Sequence, residues 1–137
     1  MDCNLIEGDI TTGLPDEQFD LVITTLTLHH ISDTARSSVI QEIFRILPSG
    51  GVFICGDVFK SENEWVEPIF RSRWKAHMKE TGMPDNRIEE TMSGREKAYP
   101  LIDTLHEFCK KMKTAGFNRI LIPLHYDMYG VVVGWKE

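Results

Sequence analysis

The sequence predicts an α/β fold, a mostly parallel sheet covered by helices on both faces, and three observations carry that prediction. Short runs rich in β-branched residues alternate with stretches of helical apolar spacing, glycine or proline punctuates the junctions, and the last two apolar runs lie too close together to hold a helix between them. The first two features belong to strand–helix–strand crossovers, which join parallel strands. The third requires an antiparallel pair at the end of the chain.

Each element follows from its residues. Asn4-Leu5-Ile6-Glu7 reads as a short strand stopped by Gly8-Asp9. The β-branched run from Phe19 to Thr25 reads as a strand buried on both faces. Ser32 or Asp33 caps a helix whose Ile40, Ile43, Phe44 and Leu47 share one face, and Pro48-Ser49-Gly50-Gly51 ends it. Val52 to Cys55 is the next buried strand, ending at Gly56-Asp57. A second helical region carries Trp65, Val66, Ile69, Phe70, Trp74 and Met78, with Pro68 in its first turn or kinking it, and Gly82 closing it. Pro84 to Ala98 is polar, with Ile88 and Met92 four apart, and reads as a short surface helix interrupted by Gly94. Asp103 is the expected cap of a stronger helix that turns Leu105, Phe108, Met112 and Ala115 inward and stops at Gly116. Two strands finish the chain, Arg119 to Ile122 and, after His125-Tyr126-Asp127, Tyr129 to Trp135.

Composition narrows the function classes. At 137 residues the chain is one domain, 1–137, of a size that buries about 68% of its unfolded surface. Hydrophobic residues at 42% and charged residues at 26% exclude disordered and fibrous classes. No apolar run approaches ~18 residues and the N-terminus has no basic or apolar leader, so a soluble, cytoplasmic protein without a membrane span is expected. The net charge is −6, and seven acidic residues precede the first basic one, Arg36, which argues against a nucleic-acid partner. The three cysteines, Cys3, Cys55 and Cys109, are widely spaced and odd in number, as reduced thiols are; Cys55 and Cys109 read as small buried hydrophobes.

In an open α/β sheet the ligand crevice lies beyond the carboxyl ends of the strands, here Gly8-Asp9-Ile10, Thr24 to His30 and Asp57-Val58-Phe59. Gly8-Asp9, Phe19-Asp20-Leu21-Val22-Ile23, Leu28-His29-His30, Leu47-Pro48-Ser49-Gly50-Gly51 and Ala115-Gly116-Phe117 follow one another in the order found in class I S-adenosylmethionine-dependent methyltransferases, and the chain resembles the small-molecule branch of that family. The resemblance implies S-adenosylmethionine as cofactor. It implies that Asp9 accepts from the adenine amino group, that the Ile10 N–H meets a ring nitrogen, and that Thr24, Thr25 and Leu26 pass beside the methionine and ribose. Read from the residues alone, the lesser alternative is that Gly8-Asp9 is turn chemistry after a strand. His29-His30 invites a metal or general-base reading, but it lacks a second His or Cys at i+3 or i+4 and makes a poor metal site. The resemblance implies packing and hydrogen bonding near the cofactor more than catalysis, with a catalytic role for one of the two as the lesser reading, so no catalytic residue is assigned and no metal is expected. Trp65, Phe70 and Trp74 read first as core, and the resemblance makes 61–100 the cap that selects a small-molecule acceptor.

The chain also departs from the family pattern. It has no Gly-x-Gly loop and no second-strand acidic residue for the ribose, so the resemblance covers a C-terminal portion, a partial Rossmann-like fold with strands 4-5-7-6 of the family order 3-2-1-4-5-7-6 and an antiparallel final strand. The expected function is methyl transfer to a small-molecule acceptor, impaired in the isolated chain, with cofactor binding weak or absent. The alternative is a non-catalytic dimerising or interaction module. A hydrolase has no Gly-x-Ser-x-Gly elbow to support it. Two absent neighbours would set the strand at Asn4 about 14 Å from the edge at Leu21 to Thr25. That apolar edge must be covered, either by collapse of the first strand onto it or by a homodimer that meets there.

Overall fold

A computed structural model of the chain describes residues 3–137. Four strands, β1 (Leu21–Thr25), β2 (Val52–Val58), β3 (Arg119–Tyr126) and β4 (Tyr129–Trp135), form one sheet in the order β1-β2-β4-β3. β1 and β2 pair in parallel, and β4 runs antiparallel to both β2 and β3. Three strands therefore share one direction and only the last is reversed, which reproduces the expected 4-5-7-6 arrangement. Four helices complete the fold: α1 (Asp33–Ile46), α2 (Glu67–Glu80), α3 (Asp85–Ala98) and α4 (Leu105–Ala115).

Local chemistry sets the helix ends. The Ser32 side chain accepts from the Ala35 N–H and starts α1. α4 starts on Thr104 rather than Asp103, because Glu107 stands three residues on: the Glu107 N–H donates to Thr104 Oγ1 at 3.1 Å while the Thr104 N–H donates to the Glu107 carboxylate at 2.8 Å. That second bond holds the Glu107 carboxyl below the usual carboxylate range. Asp103 is instead buried and ion-paired with Arg36 and Lys111. Gly116 ends α4 at φ 120°, and a Cβ there would strike the Phe44 ring at 2.6 Å.

Other elements depart from their sequence patterns. α3 runs unbroken through Gly94, since it buries Ile88 and Arg95 on its inner side, and that tertiary contact outweighs one glycine. β2 continues past Cys55 to Val58 because β4 offers it partners through Gly130 and Tyr129. β3 likewise extends to Tyr126, with Pro123 inside the register shift between Leu121 and Leu124, where its missing N–H costs no ladder bond. Asn4 to Glu7 form no strand: no hydrogen bond reaches them from the described residues, and Leu5 and Ile6 are exposed. The expected collapse onto the β1 edge does not occur.

α1 and α4 pack on one face of the sheet. Val39, Ile40 and Ile43 meet Phe53, Cys55, Val132, Phe108, Met112 and Phe117 in one buried cluster. Across the opposite face, Ile23, Ile54, Val133 and Leu121 register in a row over all four strands, and Ile23 and Leu121 are 58% and 54% exposed, so β1 is not buried on both faces as its β-branched run predicts. Gly134 shows how tight the covered face is. A Cβ there would overlap the Met112 methyl and sit 2.9 Å from the Phe117 ring, both buried. Gly134→Ala is expected to lower unfolding stability by ~1–3 kcal/mol in urea titration, whereas Gly8→Ala, with open space around it, stays within about 0.5 kcal/mol of wild type.

Candidate functional site

The carboxyl ends of β1 and β2 lie side by side, and the chain between β1 and α1 is shaped around one carboxylate. Leu26 leaves β1 in the left-handed region at φ 49°, its N–H still donating to the Gly56 carbonyl at 2.9 Å. A branched side chain in that region costs ~1–3 kcal/mol, and such strain persists only where the surroundings over-determine it. Asp57, 4% exposed on β2, supplies the constraint. It accepts from the backbone N–H groups of Leu28 at 3.0 Å, His29 at 3.2 Å and Val58 at 2.8 Å, and bonds His29 Nδ1 at 2.5 Å.

The same loop is gripped from its other side by Arg36, 1% exposed in the first turn of α1. Its guanidinium donates to the carbonyls of Leu28 at 2.9 Å, Ile31 at 3.0 Å and Leu101 at 2.7 Å, and pairs with Asp103 at 2.8 Å. The 3-10 turn Leu28–His30 therefore carries His29 on a frame fixed by two buried charges.

His29 and His30, whose ring centres lie 3.9 Å apart with the planes tilted by 40°, line a cleft of about 510 Å³ with Leu26, Val58, Trp74 and Met128. Because Asp57 occupies Nδ1, Nε2 is the ring nitrogen left for a ligand. Arg95 of α3 is a further wall residue. It pairs with Glu67 at 3.0 Å and donates to the Phe59 carbonyl at 3.2 Å, which leaves Nη1 buried without a partner.

The five residues expected at the cofactor are not gathered in this cleft. Leu26 lines it; Thr24 and Thr25 stand on β1 opposite Cys55 and Gly56; Asp9 and Ile10 lie on the chain before β1. Asp9 Oδ1 accepts from the N–H and hydroxyl of Thr11, both at 2.8 Å, so Asp9 caps the 3-10 turn Ile10–Thr12, and these bonds lower its pKa. The turn-forming role of Asp9 is thus present, with Oδ2 left over as an acceptor. Ile10 packs half-buried against the core.

The aromatic stripe is corrected by the structure. Trp65 is 72% exposed on a 3-10 turn ahead of α2, and Phe70 and Trp74 are half-buried on cavity walls rather than in the core. The His29–Asp57 pair and Arg95 are the groups that sequence reasoning missed. His29 and Asp57 each stood at a strand end, but nothing in their spacing of 28 residues says that they touch.

Among the cysteines, burial pushes the Cys55 thiol up to about 12 and also raises Cys109, while Cys3 is exposed. At pH 8, iodoacetamide is expected to label Cys3 in the folded chain and to reach Cys55 only after unfolding, as peptide mass mapping would show.

Comparison with known proteins agrees with this architecture. Residues 1–55 match the family model described as a methyltransferase domain. The carboxy-S-adenosyl-L-methionine synthase of Psychrobacter sp. is 25% identical over 135 residues, which are 98% of this chain and 48% of that protein. Human N-acetylserotonin methyltransferase, solved with S-adenosylmethionine, superposes with a TM-score of 0.59 at 17% identity over 96% of this chain and 33% of its own. An S-adenosylmethionine-dependent methyltransferase of Thermotoga maritima gives 0.61 at 20% identity over 96% of this chain and 63% of its own. The chain has the fold of the C-terminal portion of class I methyltransferases, as its sequence resemblance implied, and spans about half the length of the curated relatives it matches. No helix among the described residues is long and apolar enough to cross a membrane.

Proposed function

We propose that this chain is the acceptor-side portion of an S-adenosylmethionine-dependent methyltransferase acting on a small molecule, with His29 as general base. The observation that carries the reading is the His29–Asp57 pair at the cleft: a buried carboxylate fixes the imidazole tautomer and leaves Nε2 free to accept a proton. S-adenosylmethionine, when bound, supplies an electrophilic methyl group on sulfur. The residues present fit part of that cofactor. Asp9 Oδ2 is an acceptor suited to an adenine amino group, the Ile10 N–H would complement a ring nitrogen, and Thr24, Thr25 and Leu26, at the carboxyl end of β1, would lie beside the ribose and methionine.

His29 then acts on the acceptor. With the cofactor bound, Nε2 would take the proton that the acceptor oxygen or nitrogen gives up on methylation. Asp57 stabilises the resulting imidazolium across the Nδ1 bond. Alignment of acceptor and methyl group is the larger part of such catalysis, so a rigid wall matters as much as the base.

In these 137 residues no Gly-x-Gly loop approaches the methionine end, and the loss of several hydrogen bonds of roughly 1.5–3 kcal/mol each takes a micromolar affinity down about a thousandfold. Titration of the 15N-labelled chain with S-adenosylmethionine is therefore expected to show weak binding with amide shifts at Asp9, Ile10 and Leu26, and Asp9→Ala to weaken it by ~1–3 kcal/mol. Unchanged affinity in that variant would remove the adenine assignment. Where turnover is measured, His29→Gln is expected to lower kcat by about 10²–10⁴ with cofactor affinity retained.

A second reading is favoured by Arg95. The curated relatives are named for carboxy-S-adenosyl-L-methionine, and a buried guanidinium nitrogen without a partner on the cleft wall is suited to a ligand carboxylate. Tighter binding of the carboxy compound than of S-adenosylmethionine, abolished in Arg95→Lys, would select it. In either reading the open edge of β1 invites pairing between two chains, and sedentary or shifting mass in light scattering on diluting the protein decides that point.

A further inference from the structure

We infer that the groove between α2 and the β3–β4 hairpin binds a cationic aromatic molecule, and that it receives the part of the methyl acceptor remote from the reacting atom. Its role as an acceptor site rests on the reading of the His29 cleft given above; its ligand chemistry does not. The groove is about 620 Å³, ample for a small-ring amine. Trp74, Met128 and Tyr129 line both it and the His29 cleft, so the two cavities meet across a shared wall.

The lining dictates the charge of the ligand. Phe70, Trp74, Tyr126 and Tyr129 present four aromatic rings to one cavity. The only arginine there, Arg73, is already engaged: it pairs with Asp127 at 3.1 Å, donates to the Tyr126 hydroxyl at 3.0 Å and lies 5.5 Å from the centre of that ring. Glu80, one turn beyond His77 on α2, also lines the groove and has no ion pair among the described residues. The lining, His77 included, offers aromatic rings and, in Glu80, one carboxylate without an ion pair among the described residues, a set that attracts an ammonium and repels an anion. The Arg73 contacts also link α2 to the hairpin turn.

Three probes with the same ring separate charge from shape: tyramine, 4-ethylphenol and 3-(4-hydroxyphenyl)propionate, each titrated to millimolar concentration into the 15N-labelled chain. Tyramine is expected to bind about tenfold more tightly than the propionate, with 4-ethylphenol between them, and to shift the Trp74 indole N–H and the amides of Tyr126 to Tyr129. Glu80→Gln, an exposed change at the end of α2, is expected to cost tyramine about three- to tenfold and to leave 4-ethylphenol unaltered. Trp74→Leu should weaken all three. Equal affinities, shifts confined to other residues, no shift at all, or a Glu80→Gln variant that binds tyramine as before would each overturn the inference. None of these readouts involves S-adenosylmethionine or methyl transfer, so the proposal can fail while the His29 reading stands, and the reverse.

Discussion

The backbone of Leu28 is held on both sides by buried charges, and the architecture of the site depends on that grip. Its N–H is taken by the Asp57 carboxylate from β2 and its carbonyl by the Arg36 guanidinium from α1. Each of the two ions reaches further. Arg36 carries the constraint to Leu101 and Asp103, ahead of α4, and Lys111 of α4 closes the circuit by pairing with Asp103 at 2.8 Å and Asp33 at 2.7 Å. Two helices, a strand end and a loop are thus tied through a handful of bonds. Removing either ion would leave its partners buried and unpaired at a cost of about 3–5 kcal/mol, far more than the intact arrangement adds over an apolar one. The return for this costly chemistry is positional: His29 sits one residue from the doubly held peptide.

Arg95 repeats the device on the other wall. It joins α3 to α2 through Glu67 and to the end of β2 through the Phe59 carbonyl. The segment 61–100, which contains α2 and α3, is therefore attached to the strand ends by charge, and α2 is tied to the hairpin by Arg73, whereas α1 and α4 are attached to the sheet by apolar packing. The division suits a fold in which one part provides rigidity and another shapes the space above the strand ends. The row Ile23, Ile54, Val133 and Leu121 on the far face is a complementary observation: four apolar side chains in register, with both ends of the row more than half exposed. Apolar surface of that kind is normally covered.

Most of the fold was legible because it rests on local signals. Ser32, Pro68, Gly82 and Gly116 mark helix ends by chemistry confined to a few residues, and the short gap before Tyr129 enforces an antiparallel hairpin. What failed depended on neighbours. Asn4 to Glu7 has the composition of a strand but nothing to pair with; Gly94 is tolerated because Ile88 and Arg95 are buried beside it; Thr104 displaces Asp103 as cap because Asp103 is claimed by Arg36 and Lys111. The site was less legible than the fold. Strand-end logic located Leu26, His29 and Asp57, but the bond between the last two, the free nitrogen of Arg95 and the placing of Trp74 on a cavity wall arise only when distant segments meet.

Hydrogen exchange at the Leu28 and His29 amides tests the central constraint most directly. Both N–H groups belong to a short loop with no ladder or long helix to protect them, and both donate to Asp57. If the buried charges fix the loop, the Leu28 amide exchanges only through an opening whose free energy approaches that of global unfolding, in step with the core amides of β2. Exchange of Leu28 as fast as that of the exposed residues near the N-terminus would contradict the account, since the loop would then open without disturbing the ions said to hold it.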